Sequence, residues 1–254
     1  MALFTDGPLS GMEDLTAQDT QLPNVANVEG IDVTQKLFLA QEELSLELMT
    51  LLGASRGASQ AFWLAAQPKI GNVVATPALK LWHTYRTLEL VYGDAYSSQL
   101  NDRYGAKRDQ FRERARWAYE KLTVLGIGIV WAPVPRAAQP TVVSGPGNLA
   151  AGNYYVTMAW TNANGEEGAA AVANPITTAG STLLVLPATP PACAAGWNAY
   201  VGLDPGAMFL QNGSPIAAAQ TWLQPSTIST SGRAPGCGQS PSCMLPVPRT
   251  IRRG

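Results

Sequence analysis

The stretch PVPRAAQP, residues 133–140, separates two differently built parts of the chain. Its prolines favour an extended, semi-stiff linker. Residues 1–136 hold 13 of the 17 Lys and Arg residues and 15 of the 18 Asp and Glu residues, whereas the remaining 118 residues hold only 7 charges. A chain of 254 residues is long enough for two domains, each with its own core. We therefore expect an α+β multidomain protein, in which an N-terminal helical bundle precedes an all-β domain.

Three segments upstream of the linker have the periodicity of helices. Asp32 is a suitable N-cap, and six apolar residues follow it at helical spacing until Gly53. Thr76 and Pro77 form a second start signal, because a Thr hydroxyl caps free N–H groups and Pro at the first helical position sacrifices no hydrogen bond. A third helix is expected over residues 106–125, with Leu125 on its inward face. Three such helices predict a small bundle.

The other segments upstream of the linker are less regular. Residues 1–30 contain acidic residues, no base and scattered Gly and Pro, so we expect an extended N-terminal arm. Residues 54–74 are apolar but interrupted, which predicts a loop or a short helix containing Phe62, Trp63 and Leu64. Residues 126–131 predict a short strand. The helical domain is therefore expected over residues 31–136.

Downstream of the linker the pattern is that of short strands. Residues 153–161, NYYVTMAWT, alternate as in a half-buried strand, and Asn164-Gly165 predicts a hairpin with a return strand at 169–173. Further strands are expected at 140–144, 182–186, 197–201, 208–211 and 220–223. This spacing is typical of an immunoglobulin-like or fibronectin-like sandwich, which we expect over residues 137–230.

The end of the chain, rich in Gly, Pro and Ser, predicts an extended C-terminal tail over residues 231–254. Such a tail is either disordered or ordered by a neighbouring molecule. Leu245, Val247 and Ile251 are spaced so that they can anchor it there.

No recognisable catalytic or metal-binding pattern occurs in the sequence. The single histidine, His83, lies inside a predicted helix, where a structural role is the common one. A Gly-rich phosphate loop, Cys/His metal spacing and a Gly-x-Ser-x-Gly elbow are all missing from the sequence. We expect Cys193, Cys237 and Cys243 to be reduced, although Cys237 and Cys243 bracket a loop that a disulfide could close. We therefore expect no enzyme, no cofactor and no metal.

Charge and hydropathy narrow the possible partners. The net charge of -1 gives no overall attraction to nucleic acid. Charged residues make up 14% of the chain, which is low for a soluble domain and favours a surface that is covered in an assembly. The sequence has neither a signal peptide nor an apolar run of the roughly 18 residues that a membrane span requires. We therefore expect synthesis in the cytoplasm and no membrane contact.

Two segments carry a resemblance to a known family. VEGIDVTQKLFLAQEELSLELMTLL at 28–52 and TPALKLWHTYRTLELVYGDAYSSQLNDRYGAKRDQFRERARWAYEKLTVLGIGIV at 76–130 resemble the helical head-to-tail connector, or adaptor, proteins of tailed bacteriophages. The resemblance covers residues 25–132 and consists of an early helix, a Pro-started aromatic-rich helix, a basic helix and a short strand. It implies a ring, commonly of twelve copies, that is docked beneath the portal and surrounds the DNA channel.

The resemblance also implies partners and contacts. The protein would be a structural component of the virion neck, at the head-tail interface, bound to the portal protein, to tail or neck proteins and to other copies of itself. Viral DNA would pass without sequence-specific binding, and the sandwich would be an added domain. The basic face of the third helix is either a solvated helix face or a docking face. The expected oligomer or portal contacts are Lys107, Arg108, Arg112, Arg116, Leu245, Val247, Ile251, Arg252 and Arg253.

A phage surface or tail-fibre accessory adhesin is the alternative function. In that case the sandwich would bind glycans through aromatic side chains, and Trp197 and Tyr200 are the candidates. Aromatic residues of a small sandwich are more commonly part of its core.

Overall fold

The structure, a computed structural model, describes residues 1–54, 68–99 and 102–247. Within these residues it contains five α-helices and several antiparallel sheets, so the protein is of the α+β class. The chain divides into two compact units. We call Gly7–Trp131 together with the residues from Pro241 onward the helical unit, and Met1–Asp6 together with Ala132–Ser240 the sheet unit. No helix in the described ranges has the length and apolar character to cross a membrane.

The helical unit is built around one central helix, α4, which contacts the other four helices. Most of its side chains are buried, including Leu79, Leu88 and Val91. The predicted segment with Phe62, Trp63 and Leu64 lies outside the described residues. The five helices are α1 (Met12–Gln18), α2 (Leu22–Glu29), α3 (Val33–Ala54), α4 (Pro77–Gln99) and α5 (Asp102–Leu125).

The first 30 residues are not the extended arm that we expected. They form α1 and α2 after a short 3-10 turn at Phe4–Asp6. Leu15 and Leu22 are fully buried, so the segment contributes to the core. Because α1 and α2 span only about two turns each, neither shows a sustained apolar period, and packing rather than local propensity stabilises them.

The starts of the longer helices agree only in part with their sequence signals. The Asp32 carboxylate accepts hydrogen bonds from the backbone N–H groups of Thr34 and Gln35 at 2.9 and 3.1 Å, which confirms the predicted N-cap of α3. Helix α4 begins at Pro77 as predicted. The Thr76 hydroxyl, however, is buried and makes no hydrogen bond among the described atoms, so it does not cap the helix. Helix α5 begins at Asp102, four residues before its expected start at residue 106.

A two-stranded antiparallel sheet completes the helical unit. Strand β1 (Ile127–Ile129) pairs with β10 (Cys243–Leu245), and Ile127 lies opposite Leu245. Gly126 between α5 and β1 has a positive φ of 91°, and a Cβ there would lie 2.7 Å from the Leu245 carbonyl oxygen. Only glycine fits such a close approach. The strand at β1 was predicted, whereas the tail was expected to be disordered or ordered by a neighbouring molecule and instead supplies β10 within its own chain.

The sheet unit contains eight strands in two antiparallel sheets. One sheet has the order β2-β5-β9, and the other has the order β4-β3-β6-β7, with β8 also paired to β6. Both sheets bury side chains in one core, which includes Leu183 and Val185 of β5 and Trp160 and Trp197 of β3 and β6. The strands are β2 (Thr141–Gly145), β3 (Gly152–Thr161), β4 (Asn174–Thr178), β5 (Thr182–Leu186), β6 (Gly196–Gly202), β7 (Phe209–Leu210), β8 (Ile216–Ala217) and β9 (Trp222–Leu223).

The hairpin after β3 differs from its prediction at the return strand. The chain turns at Gly165, whose φ is 76°. Residues 169–173 then run beside β3 and make isolated backbone bonds, such as that from Ala171 N–H to the Met158 carbonyl at 2.9 Å. Regular pairing with β3 begins only at β4. Strand β8 was not predicted.

Candidate assembly surfaces

The first predicted contact residue, Lys107 on α5, is bound inside the helical unit. Its Nζ donates to Oδ2 of Asp19 at 2.8 Å, and the Tyr92 hydroxyl donates to the same oxygen at 2.8 Å. Burial alone would raise the pKa of Asp19, but the hydrogen bonds from Lys107, Tyr92 and the Gln21 N–H outweigh this effect and lower the pKa. Lys107 therefore joins α5 to the segment between α1 and α2.

The other three predicted bases of α5 also have acidic partners in the chain. Arg112 Nε donates to Glu89 Oε1 at 2.9 Å. Arg108 pairs with Asp109, and its guanidinium lies 4.7 Å from the ring centre of Tyr96. Arg116 pairs with Glu120 at 3.3 Å, but its side chain is 82% exposed, and such a pair contributes little to stability. Of these four bases, Arg116 is the one most available to a partner.

The predicted contact residues of the tail do not form an exposed surface. Leu245 and Val247 are buried in the helical unit of their own chain, with exposed fractions of 3% and 7%. They are therefore not presented to a neighbour as the sequence analysis expected. Ile251, Arg252 and Arg253 lie outside the described residues.

A groove of about 750 Å³ lies between α3 and α5. Arg86 on α4 donates to Glu43 at 2.5 Å and to Glu89 at 2.6 Å, and Glu89 also accepts from Arg112. The carboxylates of Glu43 and Glu89 are therefore both paired with arginine side chains. The groove is lined with fixed charges that largely neutralise one another.

Helix α3 has a second apolar face that points away from the core. The predicted core residues of α3 are all buried: Val33, Leu37, Ala40, Leu44, Leu48 and Leu51. Four further apolar side chains are exposed by 38 to 65%: Phe38, Leu39, Leu46 and Met49. At 3.6 residues per turn these four fall within about 100° of the helix circumference, opposite the core face. We call them the α3 stripe.

Sequence reasoning missed the α3 stripe although its signal is present. Residues 37–39 read LFL and residues 46–49 read LELM, so apolar side chains occur on more than one face. A helix that is apolar all round is usually buried on all sides. The α3 stripe is therefore a candidate surface for contact with another molecule.

A second exposed apolar patch lies near the end of α5. Trp117, Val124 and Leu125 are 48%, 61% and 59% exposed, which places Leu125 outside the core where we expected it inside. The Lys121 ammonium lies 5.7 Å from the ring centre of Trp117. We call these four residues the α5 patch.

His83 is a structural residue of the α4 core. It is fully buried, its Nε2–H donates to the Leu37 carbonyl at 3.0 Å, and its Nδ1 accepts from the Ser10 hydroxyl at 2.5 Å. Burial lowers its pKa from 6.5 to about 4, although the Leu37 carbonyl and the Asp14 carboxylate partly oppose the shift. Both ring nitrogens of the neutral imidazole are thus hydrogen-bonded.

Acidification should destabilise the helical unit through His83. The pKa of His83 is lower in the folded than in the unfolded state, so the unfolded chain binds the proton more tightly. The free energy of unfolding is therefore highest above pH 6.5 and decreases as the pH falls toward 4. The loss attributable to His83 should reach about 3 kcal/mol. Urea unfolding of the wild type and of His83→Gln across this range would measure it. Equal pH dependence in the two proteins would contradict the assignment.

The aromatic residues proposed for glycan binding are inside the sheet unit. Trp197 and Tyr200 have no exposed surface, which corrects their assignment as sugar contacts. The Tyr200 hydroxyl donates to the Glu167 carboxylate at 2.8 Å, and Arg233 donates to the same carboxylate at 2.7 Å. Burial, reinforced by Glu167, raises the pKa of Tyr200.

Among the residues that the structure describes, the remaining reactive side chains form no obvious chemical site. Cys193, Cys237 and Cys243 are free. Within the described ranges, no cluster of three or more His, Cys, Asp or Glu residues has the arrangement to hold a metal ion.

Comparisons with known proteins add no relative. The chain matches no protein-family model, no curated protein and no solved structure. Its function is therefore argued from its own surfaces.

Proposed function

We propose that this protein is a structural subunit that assembles with copies of itself into a ring, and that this ring is the head-to-tail adaptor of a tailed bacteriophage. The ring, of twelve copies, joins the portal protein to tail or neck proteins in the virion neck. Viral DNA passes through it without sequence-specific contacts. In this role the protein is not an enzyme.

The α3 stripe is the observation that carries this proposal. Exposure of Phe38, Leu46 and Met49 on one helix costs solvation free energy, roughly 25 cal/mol for each Å² of apolar surface left in water. Contiguous apolar patches on soluble proteins commonly mark contact sites. A subunit whose assembled state covers this face recovers that free energy.

The two-unit architecture supports the same role. The helical unit has the order of elements of the connector proteins that residues 25–132 resemble: an early helix, a Pro-started helix, a basic helix and a short strand. We infer that the sheet unit is an immunoglobulin-like or fibronectin-like sandwich, because eight short antiparallel strands enclose one core. It would be an added domain of the subunit.

The full chain should form one discrete ring, either alone or after addition of a portal ring from the same phage. Native mass spectrometry and light scattering over a concentration series would measure the mass of the complex. Leu46→Asp should weaken assembly at least about 10-fold, since it places a charge in the covered face. Val172→Asp, at a 71% exposed apolar position in the sheet unit, is the matched control. A monomer under both conditions would overturn the proposal.

A further inference from the structure

We propose that the ring interface is formed by the α3 stripe of one copy and the α5 patch of the next copy. This inference rests on the proposed assembly and names the two surfaces that meet. The occupant of the α3 stripe is thus a second copy of this chain. A head-to-tail interface requires two different surfaces on each copy. Each copy would contact one neighbour through its α3 stripe and the other neighbour through its α5 patch.

The charges within the two surfaces are complementary. The exposed face of α3 that carries the α3 stripe also carries Glu42, and the α5 patch includes one charge, Lys121. Among the described residues neither Glu42 nor Lys121 has an ion-pair partner. Opposite charges at an interface favour the matched pairing over others.

The same charges disfavour the simplest alternative, a two-fold dimer through α3 alone. Such an interface would bring Glu42 of both copies into one apolar surface, and burying two like charges together is costly. Pairing of α5 with α5 would similarly place two copies of Lys121 near each other. Pairing of α3 with α5 avoids both repulsions.

The two surfaces also match in length and in side-chain character. With a rise of 1.5 Å per residue, the stripe from Phe38 to Met49 extends over about 16 Å and the patch from Trp117 to Leu125 over about 12 Å. Trp117 offers the large aromatic side chain that commonly anchors the centre of protein interfaces. The α3 stripe offers Trp117 an adaptable apolar surface, formed by the side chains of Leu39, Leu46 and Met49.

Charge reversal tests which surfaces meet. Glu42→Lys and Lys121→Glu should each raise the apparent Kd for assembly about 10-fold, and the double variant should return it to within about 3-fold of the wild type. Arg136→Glu makes the same base-to-acid change at an exposed position of the sheet unit and is the matched control. Independent effects of the two reversals, with no recovery in the double variant, would overturn the pairing.

Chemical crosslinking supplies a second readout that does not depend on stability. Assemblies made from mixed ¹⁴N- and ¹⁵N-labelled full chains are treated with a carbodiimide, which joins a carboxylate to an amine as an amide with loss of water. We expect a crosslinked peptide pair that joins Glu42 of one label to Lys121 of the other, and its loss in Lys121→Arg. Rings that form without this pair would refute the interface but leave the proposed function standing, whereas failure of the chain to assemble would refute both.

Discussion

Replacement of Trp197 by alanine should destabilise the sheet unit by about 3 to 5 kcal/mol, since it leaves a large cavity among buried side chains. Trp197 is fully buried on β6, faces Trp160 across the β3–β6 pair, and donates from Nε1 to the Gln220 carbonyl at 3.1 Å. Urea unfolding, monitored by hydrogen exchange at the backbone amides of β3 and β6, would measure the loss of stability in this unit.

Trp222→Ala is the matched control for this loss. Trp222 lies on β9, is partly exposed and packs against the edge of the same core, so its removal should cost clearly less, about 1 to 2 kcal/mol. A Trp197→Ala protein that retained its stability but lost binding to a glycan would instead support the adhesin hypothesis. The geometry predicts the opposite result, because a side chain without exposed surface cannot stack on a sugar.

Leu245→Asp should separate β10 from the helical unit. The Leu245 side chain is 3% exposed and lies opposite Ile127, so a carboxylate there is buried without a partner. If β10 stays in place, the buried carboxylate should lower the free energy of unfolding by about 4 kcal/mol or more. If β10 detaches instead, the loss of stability is limited to the free energy with which β10 docks. Hydrogen exchange at Ile127 and Ile129 and proteolysis after Ser240 would detect the released strand.

Met244→Asp tests whether this effect depends on burial. Met244 is the neighbouring residue of β10, but its side chain points to the other face of the strand and is 42% exposed. Its replacement should change stability by less than about 1 kcal/mol. Equal protection of β1 in both variants would show that β10 is not held by the Leu245 side chain.

Local chemistry explains which elements the sequence predicted. Asp32 and the apolar spacing after it define α3, and β5 was predicted at the residues where it occurs. A cap and a short apolar run between turn residues are both read within one segment. Helices α1 and α2 were missed since each is too short to show a period. Strand β10 was missed because its pairing partner lies 118 residues earlier, and a three-residue strand has no signal of its own.

The candidate surfaces were predicted less well than the fold. The basic side chains of α5 were visible in the sequence, but the partners that neutralise Lys107 and Arg112 come from distant segments at Asp19 and Glu89. No single helical pattern identifies those pairs. The α3 stripe, in contrast, was readable as excess apolar content over residues 37–49, and only the structure shows which side chains the core leaves exposed.

The position of β10 in the chain has a consequence for biosynthesis. Strand β1 leaves the ribosome more than 100 residues before its partner, at translation rates of roughly 5 to 20 residues per second. For several seconds the edge of β1 that pairs with β10 has no partner, although Val73 can already pair with Ile129 on the other edge. The sheet unit is synthesised during this interval. The helical unit therefore reaches its final form only after the last strand emerges, and a nascent chain that stalls before Ser240 exposes an open strand edge.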